Sequence, residues 1–261
     1  MHPLLFHFGR VAVPTYGVLT AIALLGGLAC AVLQARRTGA SPEKLWNLGL
    51  IGIIGALFGS RLLLVLSNYD AFRAHPFWVL GLANVPGTWI ALGGTVIGIL
   101  AAVLYALAEG LSLLGVADAA APGLALAFGI NRLGAFCGGL DWGRPTTLPW
   151  GVTYRSFVAY LWYRVPLGAK VHPVQLYDAA ASLLIFALLL AMPRRRAGEL
   201  AGIWLFLYGI ARFFIEFFRG DEAPVLAGLT LPQMLAILAV LAGGALWLQR
   251  PLASPLPATN A

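Results

Sequence analysis

Charged side chains are scarce in this sequence. Asp, Glu, Lys and Arg make up 10% of the 261 residues, and hydrophobic residues make up 60%. An ordinary globular domain is about 25% charged. A water-soluble fold of this size could not cover its surface with so few charges, so a soluble globular protein is excluded. A lipid bilayer is the solvent that this composition requires.

Cysteine and histidine are also rare. The two cysteines, Cys30 and Cys137, lie in separate apolar segments, and the sequence has no CxxC motif and no Cys/His cluster. The sequence therefore gives no sign of a zinc site or a disulfide framework. We expect neither a metal nor an organic cofactor.

The net charge of +7 comes from basic residues spread over short loops between apolar runs. This distribution does not predict nucleic-acid binding. Basic loops in membrane proteins more often set the orientation or contact anionic lipids.

Long apolar runs fill most of the chain. A membrane-spanning helix needs about 20 predominantly apolar residues. Runs of about this length lie at approximately 12–34, 46–67, 89–109, 119–138, 173–192, 199–218 and 230–248. Ser41-Pro42 offers a helix N-cap followed by proline at the first helical position. We predict an all-α polytopic integral membrane protein with about seven transmembrane helices and a small outward-facing loop region. A single domain should cover 1–250, followed by a disordered tail over 251–261.

The basic loops predict the orientation of these helices. One loop carries Arg36, Arg37 and Lys44, and another carries the run 194–196. With seven spans the two loops lie on the same side, which should be the cytoplasm. The N-terminus and the loop over 139–172 then face outward, and the C-terminus faces the cytoplasm.

Glycines recur at helical spacing within two of the runs. Gly55 and Gly59 lie in the second run, and Gly94 and Gly98 in the third. Such spacing lets helices approach closely in lipid, so helix packing is the favoured interpretation. Close approach of the backbone to a ligand is the alternative.

Charged residues inside apolar runs mark candidate functional positions, because they usually face a cavity or a partner. Arg132 lies in the fourth run, and Tyr208, Arg212 and Glu216 lie on one helix face of the sixth. Arg132 and Arg212 could together hold a phosphate, for which a lipid headgroup is the natural source. The alternative is an Arg212–Glu216 ion pair that only holds helices together.

Several further motifs, each weak alone, occur in an order that is specific. They are Tyr16-Gly17, Gly59-Ser60-Arg61, Gly93-Gly94, Arg132-Leu133-Gly134, Trp142-Gly143-Arg144-Pro145-Thr146, Leu148-Pro149-Trp150-Gly151, His172-Pro173 with Gln175-Leu176-Tyr177, and Tyr208-Gly209 through Arg219. In this order the chain resembles the prolipoprotein diacylglyceryl transferase family over about residues 12–248.

The resemblance implies a bacterial enzyme of the cytoplasmic (inner) membrane that works in lipoprotein biosynthesis. It would move the diacylglyceryl group of phosphatidylglycerol to the lipobox cysteine thiol of prolipoproteins, releasing glycerol 1-phosphate. Its partners would be phosphatidylglycerol, the signal-peptide region of the prolipoprotein and membrane lipids. The candidate catalytic residues are Arg132, Arg212, Glu216 and Tyr16. The candidate substrate-binding residues are Arg61, Arg132, Gly134, Arg144, His172, Gln175, Tyr208 and Arg212.

The chain departs from the family pattern at several positions. Leu92 stands where the family usually has His, and Asp178 replaces the usual Glu. Ala135, Gly138 and Leu140 also differ from the pattern. Without that His, the thiol's proton acceptor stays open among Glu216, Tyr16, Asp141 and His172. A relative with a different lipid-linked transfer or a non-catalytic lipid-binding role is the alternative function, and a small-solute transporter is a third.

Overall fold

The computed structural model describes residues 2–8, 11–74, 88–193 and 195–248. The described chain is mostly helical, and its short strands form two separate two-stranded antiparallel sheets. In chain order the elements are β1 (Leu4–Phe8), β2 (Val11–Pro14), α1 (Thr15–Thr38), α2 (Pro42–Ser67), α3 (Tyr69–Ala74), α4 (Thr88–Ala108), α5 (Leu113–Gly138), β3 (Val152–Thr153), α6 (Phe157–Tyr163), β4 (Lys170–Val171), α7 (Val174–Ala191), α8 (Glu199–Glu216) and α9 (Leu231–Leu248).

Six of the described helices are long and apolar enough to cross a membrane: α1, α2, α4, α5, α7 and α9. The predicted all-α polytopic membrane protein is therefore confirmed. Helix α8 corresponds to the remaining predicted span. It is 18 residues long but carries Glu199, Arg212 and Glu216, so composition alone does not mark it as a span. The count of seven stays a prediction.

Most helix boundaries lie within a few residues of the predicted runs. The largest difference is at α5, which begins at Leu113, six residues before the predicted run at 119. At the start of the first run, residues 12–14 belong to strand β2 and helix α1 begins only at Thr15. Pro14 precedes the helix in an extended conformation, which the proline ring favours over a helix interior. The predicted start of α2 is confirmed, because the Ser41 side chain accepts a hydrogen bond from the Lys44 backbone nitrogen and Pro42 follows at the first position.

Small residues let the helices approach closely. Between α2 and α4, a Cβ added at Gly55 would lie 3.2 Å from the Cα of Gly98. Between α1 and α5, a Cβ at Gly27 would lie 2.6 Å from the Gly123 carbonyl oxygen. The predicted packing role of the glycines is therefore confirmed, and α1 and α5 are held together where neither has a side chain.

Helix α5 is the centre of the bundle, because it packs against α1, α7 and α8. The pair α2–α4 packs mainly on itself and on α1. At the other end of α5, the buried Asp118 accepts hydrogen bonds from the backbone nitrogens of Gly198 (2.8 Å) and Ala201 (3.0 Å) at the start of α8. This contact fixes where α8 begins relative to α5.

The segment between α5 and α7 folds into a small unit of its own. Strands β3 and β4 pair antiparallel, with Val152 opposite Val171, and α6 packs beside them. Tyr154, Val165 and Val171 are fully buried in its core. The sequence predicted a loop region here and not these strands, because two-residue strands leave no alternating pattern to detect.

Several predicted features lie outside the described residues, including Arg194 and the tail over 251–261. The side chains of Arg36 and Arg37 are not described either. The disordered tail and the single domain over 1–250 stay predictions.

We predict that Gly27→Ala destabilises the protein because the new methyl group would collide with α5. The added Cβ would lie 2.6 Å from the Gly123 oxygen and 2.8 Å from the Ala127 Cβ. Overpacking of this kind costs about 1–3 kcal/mol. The measurement is the melting temperature of the purified protein in detergent.

The neighbouring Gly26→Ala is the matched control, because its Cβ would lie 3.9 Å from the nearest atom, Ile130 Cδ1. It should melt at or slightly above the wild-type temperature. Equal losses in the two variants would contradict the close approach of α1 and α5.

Candidate functional site

A cluster of buried charges lies where α5 and α8 end and where α7 and α9 begin. Helix α5 contributes Arg132, α7 contributes Asp178, and α8 contributes Arg212 and Glu216. Charges at such depth require partners, because unpaired charge in an apolar interior is very unfavourable. We call these residues, together with Asp141 and Arg219, the arginine cluster.

Asp178 joins Arg132 and Arg212, the two arginines predicted to hold a phosphate, which we call the phosphate clamp. Its Oδ2 atom lies 2.8 Å from Arg212 Nη1 and 3.3 Å from Arg132 Nε. Asp178 is 2% exposed. Two guanidiniums from different helices therefore converge on one anionic oxygen, which confirms that α5 and α8 bring Arg132 and Arg212 together.

Glu216 and Arg219 extend the cluster past the end of α8. Glu216 Oε2 lies 2.6 Å from Arg212 Nη2, as the four-residue spacing predicted, and 3.7 Å from Arg219 Nη1. Its other oxygen accepts a hydrogen bond from Thr230 Oγ1 at 3.1 Å, at the start of α9. Glu216 thus links α8 to α9 while it pairs with two arginines.

Asp141 closes the cluster from the loop after α5. One of its oxygens pairs with Arg132 Nη1, and the other lies 3.2 Å from Arg219 Nη2. The backbone at Asp141 has φ +55°, a left-handed conformation that Asp tolerates better than most residues. Burial alone would raise the pKa of Asp141, but the guanidiniums of Arg132 and Arg219 outweigh burial and hold that pKa below its usual range.

Gln175 holds the loop that presents Asp141. Its side-chain amide donates hydrogen bonds to the Leu140 carbonyl oxygen and to the Tyr154 hydroxyl, the latter at 2.8 Å. Burial raises the pKa of Tyr154 to about 12, so its hydroxyl stays neutral at physiological pH. Gln175 was predicted to bind substrate. The structure places it behind Asp141, 1% exposed, where its amide nitrogen donates both of these hydrogen bonds within the protein.

The loops after α5 and α8 pair with each other beside the cluster. Arg144 donates its backbone N–H to the Phe218 oxygen at 2.8 Å and its Nε to the Arg219 oxygen at 2.9 Å. Gly143 leaves room for the His172 carbonyl oxygen, which would lie 2.3 Å from an added Cβ. Arg144 therefore holds the backbone that carries Arg219, and the rest of its side chain is exposed.

His172 lies in a group of aromatic rings at the outer edge of the cluster. Its Nδ1 is 3.3 Å from the Tyr177 hydroxyl, and its ring centroid is 5.0 Å from that of Phe218. The same hydroxyl accepts a hydrogen bond from Nε1 of the exposed Trp150 at 2.9 Å. Within the described part of the chain, the His172 side chain makes no hydrogen bond to an arginine of the cluster.

The remaining predicted site residues divide into two groups. Tyr208 contacts the Arg132 side chain and stacks on Trp204, with ring centroids 5.8 Å apart. Tyr16 packs on α5, where a Cβ added at Gly134 would lie 3.6 Å from its ring. Arg61 lies on α2, which packs mainly on α4 and α1, and so belongs to a different part of the bundle.

Two central residues were not among the predicted site residues, Asp178 and Arg219. Asp178 lies at the polar entrance of the fifth predicted span, where side chains of this kind could bind a headgroup, and it departs from the family pattern. Its position one turn inside an apolar helix is itself a signal, because an acidic residue at that depth requires a partner. Arg219 follows Glu216 at a spacing compatible with the same helix face, and the fold also brings it to Asp141.

A bundle of apolar helices with buried arginines and carboxylates at one end defines a membrane protein with a charged internal site. Comparison with known proteins identifies the family. The model of the family described as prolipoprotein diacylglyceryl transferase matches residues 3–249. This chain belongs to that family, which confirms the resemblance of its motifs.

Three relatives of this chain carry the name phosphatidylglycerol–prolipoprotein diacylglyceryl transferase. The protein from Clostridium tetani is 26% identical over 93% of this chain and 95% of its own length. The protein from Nostoc sp. is 29% identical over 99% and 94%. The protein from Gloeobacter violaceus is 31% identical over 95% and 93%. The similarity therefore covers nearly the whole of each chain.

We predict that Asp141→Asn lowers the stability at neutral pH but not at acid pH. The pKa of Asp141 in the folded protein is below its usual value. Its contribution is therefore fully present above the ordinary pKa of about 3.9 and is lost as the pH falls through the lower folded-state pKa. Loss of its charged hydrogen bonds should cost roughly 1–3 kcal/mol at pH 7.

The measurement is the difference in melting temperature between wild type and variant, from pH 7 down to pH values below the ordinary aspartate pKa of about 3.9. Asp70→Asn, at an exposed position on α3, is the control and should melt like wild type throughout. A difference for Asp141→Asn that stays constant down to the lowest pH would contradict the assignment.

Proposed function

We propose that this chain transfers the diacylglyceryl group of phosphatidylglycerol to the lipobox cysteine of bacterial prolipoproteins and releases glycerol 1-phosphate. The names of the relatives supply the lipid and the acceptor protein. The observation that carries the proposal is the convergence of Arg132 and Arg212 on one anionic oxygen. Two guanidiniums in this arrangement suit a phosphate oxygen as well as a carboxylate oxygen.

The reaction makes two demands on the protein. The phosphate gains negative charge as the bond from its ester oxygen to the glyceryl carbon breaks, and preorganised cations in an apolar site stabilise that charge far better than water does. The cysteine thiol must also lose its proton, since thiolate is the nucleophile. Arg132 and Arg212 meet the first demand.

The other site residues take supporting roles in this proposal. Tyr208 and Tyr16 lie beside Arg132 and α5, Glu216 fixes Arg212, and Gly134 gives Tyr16 room to pack. The remaining candidates for substrate contact are Arg61, Arg144 and His172, and Gln175 instead holds the loop that presents Asp141. The signal-peptide region and membrane lipids are the expected partners, nucleic acid is not, and no metal or organic cofactor takes part.

A family relative with a different lipid-linked transfer, or a lipid-binding protein without catalysis, is the second candidate. The observation that favours it is Leu92, which places an apolar side chain where the family usually has His. This candidate keeps the arginine cluster as a headgroup site and predicts no lipidated product. A transporter is the least supported reading and would require solute flux in sealed vesicles.

We predict that Arg132→Ala and Arg212→Ala each abolish transfer of labelled lipid from phosphatidylglycerol to a lipobox peptide. The phosphate would enter an apolar site without a compensating cation. Lysine at either position should not restore full activity, because an ammonium lacks the planar two-pronged donor geometry. In a bacterial host depleted of its own transferase, the wild-type chain should restore growth and lipoprotein lipidation, and the alanine variants should not.

Arg155→Ala is the control for this series, since Arg155 is exposed in the segment between α5 and α7. It should retain transfer. Absence of transfer by the wild-type chain would favour the second candidate. Near-normal rates in both alanine variants would leave the family intact and remove the phosphate clamp.

The protein is proposed to lie in the bacterial cytoplasmic membrane, with the N-terminus and the segment over 139–172 outside and the C-terminus in the cytoplasm. We predict that, with Cys30 and Cys137 replaced by Ala, a cysteine introduced as Thr147→Cys reacts with an impermeant maleimide on intact cells. A cysteine introduced as Ala197→Cys should react only after the cells are opened. Both positions are exposed in the structure. Labelling of the second from outside would reverse the orientation.

A further inference from the structure

The position of Asp178 has a meaning beyond helix packing. Its Oδ2 atom occupies the point between Arg132 Nε and Arg212 Nη1, at 3.3 and 2.8 Å. A phosphate oxygen held by the same two guanidiniums would have to occupy the same place. Carboxylate and phosphate are both anions, and two anions cannot share this space without strong repulsion.

The charges of the inner cluster are balanced. Arg132, Arg212 and Arg219 face Asp141, Asp178 and Glu216. Asp221 and Glu222 add further negative charge on the outer side of Arg219, at 2.9 and 3.5 Å from its Nη2. A lipid phosphate would therefore bring excess negative charge against arginines that are already paired with carboxylates, unless one carboxylate gives up its arginines.

Asp178 is the carboxylate whose release would free both arginines of the clamp. Glu216 pairs with Arg212 but is also held by Thr230 and Arg219, and among the described residues it forms no ion pair with Arg132. Asp141 touches Arg132 and is fixed to Arg219 from the loop. Release of either would free only one of the two clamp residues.

We propose that Asp178 exchanges with the lipid phosphate: the phosphate displaces its carboxylate from Arg132 and Arg212, and the displaced carboxylate takes the proton of the acceptor cysteine. The second half of this inference rests on the proposed function. It supplies the proton acceptor that Leu92 removes from the family pattern.

Once its arginines turn to the phosphate, Asp178 is left without its two ion-pair partners. The charged and titratable groups that face it are Arg132 from α5 and Arg212 and Tyr208 from α8. A carboxylate that loses both guanidiniums in an apolar helix bundle is unfavourable as an anion. In this proposal the thiol lies close to Asp178, because the carbon that it attacks is bonded directly to the ester oxygen of the held phosphate.

The step balances in atoms and charge. The S–H proton passes to Asp178, the thiolate forms the C–S bond, and the C–O bond to the phosphate breaks with its electron pair on the leaving oxygen. Glycerol 1-phosphate leaves as a dianion while Asp178 is neutral. Asp178 then gives its proton to water and returns to Arg132 and Arg212, which favours departure of the product.

The test compares two measurements on the full-length protein in phosphatidylglycerol nanodiscs: calorimetric binding of glycerol 1-phosphate, and single-turnover transfer to a lipobox peptide. Asp178→Asn removes the competing charge, so it should bind glycerol 1-phosphate on the order of tenfold more tightly. Because it also removes the proton acceptor, transfer should fall by roughly 100-fold or more. Asp178→Glu, the usual family residue, should restore transfer.

Two further carboxylate variants serve as matched controls. Glu222→Gln removes a charge that lies 3.5 Å from Arg219 Nη2, and it should resemble wild type in both measurements. Glu216→Gln removes the other partner of Arg212 without freeing Arg132. It should not show tighter binding together with lost transfer. Melting temperatures check that each variant is folded.

Several results would overturn the inference. Wild-type transfer by Asp178→Asn would exclude its role as proton acceptor. Weaker binding of glycerol 1-phosphate by the same folded variant would mean that Asp178 only holds the arginines in place. Tighter binding of glycerol 1-phosphate together with lost transfer in Glu216→Gln, and not in Asp178→Asn, would assign the exchange to Glu216. If the wild-type protein transfers no lipid, the proposed function and the proton role fail together, while the binding measurement still decides the exchange.

Discussion

The structure depends on one constraint, which is that three guanidiniums buried among apolar helices must each have a partner. Desolvation of a charge costs several kcal/mol even after relaxation, so the pairs must be well arranged to offset it. Asp178, Glu216 and Asp141 meet this requirement from α7, α8 and the loop after α5. The same pairs therefore set how these helices end beside one another. The residues of the candidate site are therefore also the residues that hold these helix ends together.

Much of the fold could be predicted from the sequence because lipid imposes a simple rule on helix length and composition. The apolar runs matched most helix boundaries to within a few residues, and Gly55 and Gly98 do pack α2 closely against α4. The rule fails where composition is mixed. Helix α8 carries three charges and so falls outside a purely apolar criterion, and Val11–Pro14 is apolar but forms a strand ahead of a proline.

The site could be predicted only in part, because its geometry is made by contacts distant in sequence. Arg132 and Arg212 stood out as charges in apolar runs, and Glu216 followed from helical spacing. Their meeting at Asp178 depends on how α7 crosses α5 and α8, which no local pattern encodes. Gln175 illustrates the reverse case. A polar residue at a helix entrance suggested substrate binding, yet its amide is engaged by Leu140 and Tyr154 behind Asp141.

The placement of Arg132 has a consequence for how the chain is made. Helix α5 leaves the ribosome before α7 and α8, so Arg132 can reach the bilayer ahead of Asp178. Arg132 lies close to the end of α5, and a long basic side chain in that position can extend toward the lipid headgroups. Its partner Asp141 follows nine residues later, just past the helix. The first ion pair of the cluster can therefore form during synthesis within a single helix and its adjoining loop, and that pair neutralises Arg132 until α7 arrives.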